Sequence, residues 1–149
     1  MWNDSKSLVF SKVCVILFMV ILLFCAILAP GAVAHLTAIS LSADMAGASK
    51  FLLTIYSGCV PAAAILAWLF VLLHRIGAGH VFVSENTSCL RYISWCCFVG
   101  AAICLASSMY YIPWVAVGVP AAFMGLIVRV VKNVVAKAVS LQDDAEFTI

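Results

Sequence analysis

His74 and His80 are the pair of side chains whose type and position come closest to a metal site in this chain. They stand six apart across Gly77-Ala78-Gly79, which is not a spacing that zinc-binding histidines use, and His35 lies in a different segment. Seven cysteines invite disulfide chemistry. However, Cys14, Cys25, Cys59, Cys96, Cys97 and Cys104 all fall inside long apolar stretches, no C-x-x-C occurs, and Cys96-Cys97 are adjacent and point to different helix faces. Free cysteine in such a setting behaves as a small hydrophobe. The Gly77-Ala78-Gly79 run is no dinucleotide fingerprint, because no strand precedes it and the third glycine is absent. Asn86-Thr87-Ser88 and Asn3-Asp4-Ser5 have the glycosylation form, but both are expected on the cytoplasmic side. Catalysis within a membrane needs ionisable groups facing the interior, and the apolar stretches carry none at their centres. The chain is therefore read as a non-enzyme with no cofactor and no metal.

The elements that would have to position any chemistry are membrane helices. Of 149 residues 66% are hydrophobic and 9% charged, and the mean hydropathy is +1.21. Soluble domains are near half apolar and a quarter charged, so a soluble enzyme, a nucleic-acid-binding domain and a disulfide-stapled secreted module are excluded. Between Lys12 and Asp44 lie 31 uncharged residues, between Lys50 and Arg75 24, and between Arg91 and Arg129 37. A bilayer core about 30 Å thick takes roughly 20 residues of helix, so these gaps hold one, one and two spans. The predicted fold is an all-α, four-transmembrane-helix bundle forming a single domain over residues 1–149, with spans at about 10–30, 51–74, 88–111 and 114–136. Lys6, Lys12, Arg75, Arg91, Arg129, Lys132 and Lys137 then share one side with both termini, and Lys50 alone takes the other. Short loops rich in Lys and Arg stay in the cytoplasm, which predicts both termini inside.

Lys6 and Lys12, the apolar Val13–Leu28 and Ala32-Val33-Ala34 together have the form of a signal peptide. The apolar segment exceeds the usual 7–15 residues, and its removal would invert the remaining charge bias, so an uncleaved first span is expected. Helices in lipid approach closely through small residues four apart. Gly58-x-x-x-Ala62, Gly100-x-x-x-Cys104, Gly118-x-x-x-Ala122 and Ala121-x-x-x-Gly125 are the expected packing faces, and Thr54, Ser57, Ser107 and Ser108 are candidates for bonds between helices. Pro61 and Pro120 lie mid-span, where each removes a backbone donor. Tyr110-Tyr111-Ile112-Pro113-Trp114 predicts a tight outer turn with interfacial aromatics. Pro30–Lys50 is expected to be an outside loop, with Leu36, Ile39, Leu41 and Met45 on a short surface helix.

On the inside, Ser84 is expected to cap the third helix, with Glu85 in its first turn. Beyond Arg129 the fourth helix continues as an amphipathic extension. Arg129, Lys132, Asn133, Lys137, Ser140, Asp143 and Asp144 lie on one face, and Val130, Val131, Val134, Val135, Ala138 and Leu141 on the other. Such a stripe suits packing on the chain's own inner loops or docking of a cytosolic protein. The acids after the basic residues argue against a sustained anionic-lipid site along it. Phe82, Glu85, Asn86, Arg91, Arg129, Lys132, Lys137, Phe147 and Ile149 form the candidate cytoplasmic interaction face. Glu85 is expected to pair with a basic residue of the fourth helix, and Phe147 and Ile149 to fold over Phe82. Two functions fit this layout. One is an interaction or sensing protein presenting that face to a partner. The other is an oligomeric transporter or channel subunit for an apolar or lipid-like substrate.

Gly79-His80-Val81-Phe82-Val83-Ser84-Glu85-Asn86 followed by Leu90-Arg91-Tyr92-Ile93 resembles a "G-x-x-F-x-x-E-N … L-R-x-I" stretch of the bacterial membrane family known as domain of unknown function 2975. The ending Leu141–Ile149 is similar to that family's acidic tail, and Val81 stands where proline is common. The resemblance implies a multi-pass protein of the bacterial cytoplasmic membrane. It also implies a small helix-turn-helix regulator as partner, since one is often encoded beside family members. Direct contact with nucleic acid is not expected. The lipid bilayer, and a second copy of the chain as homo-oligomer, complete the expected partners.

Overall fold

The computed structural model describes residues 4–39 and 45–148. Four long helices make up nearly all of it: α1 (Asp4–Ile39), α2 (Met45–Gly77), α3 (Ser84–Ser107) and α4 (Val115–Phe147), with a single 3₁₀ turn at Ile112–Trp114 before α4. There is no strand among the described residues. Each helix is long and apolar enough to cross a membrane, so the chain is a multi-pass membrane protein. At 1.5 Å per residue the helices measure about 36–54 Å, more than the hydrocarbon core requires, so each projects beyond it.

The helices are antiparallel neighbours in chain order. Those of α1 pack on α2, α2 on α3 and α3 on α4; no Cα atom of α1 comes within 8 Å of α3 or α4, nor α2 of α4, among the described residues. One end of this row gathers Lys12 beside Gly77 and a cluster of Leu72, Cys89 and Leu90, against which Trp68, Leu69, Ile76, Val128 and Val135 pack. The other end holds the turn before α4.

Packing selects one seam on each outer helix. On α1 the residues turned away from the surroundings are Val15, Met19, Leu22, Ala26, Ala29 and Val33, at alternating steps of four and three. That is the 3.5-residue repeat of left-handed helix packing. The rest of α1 is equally apolar but exposed, as at Phe18 and Leu23. On α4 the seam runs through Trp114, Gly118, Ala121, Gly125, Val128, Lys132 and Val135. Gly118 and Gly125 are buried. A Cβ on Gly118 would lie 3.2 Å from the Cβ of Cys104, and one on Gly125 would lie 3.2 Å from the Cβ of Cys97. By contrast, a Cβ on Gly100 would meet only Pro61 at 3.8 Å, and one on Gly58 would meet nothing within 4 Å. Gly58 is therefore no close-approach residue, because the seam of α2 runs elsewhere.

The expected Pro30–Lys50 loop is mostly helix. Ala32, Ala34 and Ala38 have high helix propensity, and α1 continues through Pro30 to Ile39. Proline at position 30 leaves the Ala26 carbonyl without its N–H partner. The Tyr56 hydroxyl of α2 donates to that carbonyl at 3.2 Å and restores the bond. Leu36 and Ile39 are exposed on α1 itself, while Leu41 lies outside the described residues. Pro61 and Pro120 likewise sit inside continuous helices.

At the turn end, the Thr54 hydroxyl meets Ser107 of α3 at 2.8 Å and also the Tyr110 hydroxyl. Both Thr54 and Tyr110 reach the Lys50 carbonyl, at 3.1 and 3.2 Å. Phe51 sits edge-on to Tyr110 and Tyr111, with centroids 5.7 and 4.9 Å away. Ser57 and Ser108 bond only to backbone carbonyls of their own helices, Thr54 and Leu105. Thr54→Val is expected to lower stability by about 0.5–1.5 kcal/mol, the range for hydrogen bonds between membrane helices. Ser57→Ala is expected to be neutral; thermal unfolding in detergent checks both.

Candidate functional site

The loop between α2 and α3 is built by its backbone. The His80 N–H reaches the Arg75 carbonyl and the Gly79 N–H reaches that of Ile76, both at 3.1 Å. This is a Schellman ending of α2, and Gly79 supplies the left-handed residue it needs, with φ +86°. The chain then turns into α3 without the expected cap: the residue before the helix is Val83, no side chain bonds to the free N–H groups, and Ser84 is already helical. The side chain of Asn86 fastens the loop instead. It is 1% exposed, and its amide nitrogen donates to the carbonyls of His80 and Val81 at 2.8 and 2.9 Å. Sequence reasoning placed Asn86 on an interaction face, yet it is interior. A one-turn reach back from a helix start is the signal that would have found its role.

Residues of the same stretch divide between core and surface. Cys89, Leu90 and Ile93 are buried. Tyr92 stacks on Trp68 of α2 at 4.9 Å and 16°. Phe82 is 52% exposed, and Glu85 is exposed.

Between α3 and α4 a cleft of about 250 Å³ opens, lined by Arg91, Ser94, Trp95, Arg129 and Lys132. Arg91, Ser94 and Trp95 share a face of α3 at i, i+3 and i+4, and Arg129 and Lys132 share one of α4. The floor is the buried bond from the Ser94 hydroxyl to the Gly125 carbonyl, 3.0 Å. Arg129 lies over Trp95 at 5.8 Å and Phe98 at 6.0 Å. Ser94 and Trp95 went unnoticed in the sequence, although their spacing from Arg91 is the pattern of one helical face.

The tail does not close over the loop. Helix α4 runs on to Phe147, and the side chains from Ser140 to Thr148 are all exposed. Phe147 is 91% exposed and so does not cover Phe82; Ile149 lies outside the described residues. Arg91, Arg129, Lys132 and Lys137 make no ion pair with Glu85, and Lys137 is exposed on the extension. The reason is rigidity: a continuous helix carries its end away from the loop, and nothing in Val139–Phe147 breaks it. Among the described residues no three of His, Cys, Asp and Glu converge.

No curated protein and no solved structure matches the chain significantly. A family described as Protein of unknown function (DUF2975) matches over residues 9–149, which takes in the loop, the cleft and the tail together. The chain belongs to the DUF2975 family.

Proposed function

We propose that the chain is an interaction or sensing protein of the bacterial cytoplasmic membrane. Both termini lie inside, and the end of the row carrying Phe82, Arg91, Arg129, Lys132 and Lys137 faces the cytosol. Its partner is a cytosolic protein, with a small helix-turn-helix regulator as the first candidate from the family resemblance. The reading assigns no catalysis. The observation that carries it is the end of α4, which projects clear of its neighbours from Ser140 onward: Leu141 is 59% exposed and Phe147 91%. A helix that leaves the membrane with apolar side chains uncovered stabilises nothing within its own chain, and an amphipathic helix in a partner's groove is a common recognition mode. The placement follows from charge, since seven of the eight Lys and Arg residues stand at or toward this end. A conducting path has less support, because the helices stand in an open row and any enclosed channel would have to form between copies.

Orientation is tested by reporter fusions. Phosphatase fused after Ala78 or Ser140 is expected to be inactive, with labelling at Ser42 from outside and at Ser5 only after permeabilisation. Phosphatase activity at Ala78 would overturn the assignment. Docking is tested by a photocrosslinking residue at Leu141 and a tagged small helix-turn-helix regulator of the kind the family resemblance implies. A joint product lost on Phe147→Ser is expected; no product, or an equal one from lipid-facing Ile27, removes the docking role. Deleting residues 142–149, which keeps the crosslinking position, is expected to abolish the product while leaving the melting temperature unchanged within about 1 °C, since exposed positions carry little stability.

A further inference from the structure

We propose that the cleft between α3 and α4 is a binding site for a phosphate-bearing anion, supplied by the headgroup of an anionic phospholipid. Three cations, Arg91, Arg129 and Lys132, line one cleft, and none of them forms an ion pair with a described residue. Like charges gathered around one cleft repel, and a counter-anion between them relieves that repulsion. The acids of the chain are poorly placed to serve. Glu85 starts about 9 Å back along α3 from Arg91, and Asp143 lies about 16 Å beyond Lys132 along α4, at 1.5 Å per residue. The second separation is twice the screening length of about 8 Å at physiological salt. The acidic end of the tail therefore does not cancel this site, as the sequence alone suggested it would.

Depth and shape point to the same ligand. Arg129 is about 22 Å and Lys132 about 27 Å along α4 from Trp114, the aromatic at the opposite interface. In a core about 30 Å thick this sets Lys132 close to the boundary between hydrocarbon and headgroups and the Arg129 backbone about 8 Å inside it, a depth from which a long arginine side chain reaches the headgroups. Trp95, an amphipathic ring suited to that level, forms one wall. The guanidinium of Arg129 rests on the faces of Trp95 and Phe98, so its planar fork of donors is held in place for bidentate contact with phosphate oxygens. Ser94 has already given its proton to Gly125, so it forms the floor and the cations do the binding. The volume of about 250 Å³ leaves room for a phosphate and its glycerol ester.

The test uses the full chain purified in detergent. Phosphatidylglycerol, phosphatidylcholine and inorganic phosphate are added separately at equal concentration, with thermal unfolding and native mass spectrometry as readouts. Phosphatidylglycerol is expected to raise the melting temperature by about 3–6 °C more than phosphatidylcholine, and one lipid per chain should persist in the gas phase. Arg91→Gln and Lys132→Gln should each remove at least half of that difference, and Lys137→Gln on the exposed tail none of it. Because each variant is compared with itself in the two lipids, a general loss of stability does not mimic the result. A rise with inorganic phosphate alone, sensitive to the same two variants, would uphold the anion site with a soluble occupant. Equal shifts in both lipids with no phosphate effect, or a loss in Lys137→Gln as large as in Lys132→Gln, would overturn the site.

Discussion

Gly125→Leu is expected to lower the melting temperature in detergent by about 5–10 °C, corresponding to about 2–3 kcal/mol for an overpacked interface. Gly125 is buried on the α4 seam, and a Cβ there would stand 3.2 Å from the Cys97 Cβ and 3.2 Å from the Phe98 ring. The first neighbour is fixed to the α3 backbone and cannot rotate away, so the helices must separate. Separation stretches the 3.0 Å bond from Ser94 to the Gly125 carbonyl and leaves that hydroxyl buried without its acceptor. Gly118→Leu should cost somewhat less. Two of its three closest neighbours are atoms of the Leu105 side chain, at 3.0 and 3.1 Å, and Leu105 is 41% exposed and able to turn aside.

The contrast within one residue type makes the prediction sharp. Gly58 and Gly31 have nothing within 4 Å of a modest added Cβ, and both lie inside helices. Alanine is favoured over glycine in a helix by up to about 1 kcal/mol. Gly58→Ala should therefore stabilise while Gly125→Ala destabilises. Equal and small effects at all four glycines would mean that α3 and α4 are not held at this spacing.

Charge-free stretches made the number of helices and their antiparallel order legible in the sequence. Seams were not legible. Along α1 every face is apolar, so the heptad of Val15, Leu22 and Ala29 cannot be distinguished from Phe18 and Leu23 until α2 is laid against it. Small-xxx-small spacing names Gly118 and Gly125, which are buried against α3, but it also names Gly58, because the pattern records which backbone can be approached and not which one is. The Pro30 region failed for a related reason: proline signals a break from within one helix, whereas the donor that repairs it, Tyr56, comes from another. In the candidate site, the sequence puts Arg91, Arg129 and Lys132 on one broad cytoplasmic face with Glu85 as a partner, and the structure gathers the three cations around a cleft without it. Their convergence depends on the rotation of α3 relative to α4, which the Gly125 contact sets.

Asn86→Asp is the substitution expected to damage the loop end most, by about 3 kcal/mol, although it changes one atom's worth of bulk. The side chain is 1% exposed, and both hydrogens of its amide nitrogen are engaged by the His80 and Val81 carbonyls at 2.8 and 2.9 Å. A carboxylate has no hydrogen to offer, so an oxygen would face two carbonyl oxygens at those distances without water to separate them. The N-terminus of α3 favours an anion in its first turn, but by only about 0.3–1 kcal/mol, too little to offset the loss. Asn86→Ala forfeits the same two bonds without the repulsion and should cost about 2 kcal/mol. Amide exchange over residues 78–85 should quicken in both variants, more so in the aspartate. The neighbouring position predicts the opposite sign. The Thr87 hydroxyl is buried without a partner among the described residues, so Thr87→Val removes an unsatisfied polar group at nearly constant shape and should leave stability unchanged or raise it by about 1 kcal/mol. If Asn86→Asp melts within about 1 °C of the parent, then the loop is held by its backbone turn alone and the amide is not its fastener; Thr87→Val as harmful as Asn86→Ala would mean that the Thr87 hydroxyl has a partner.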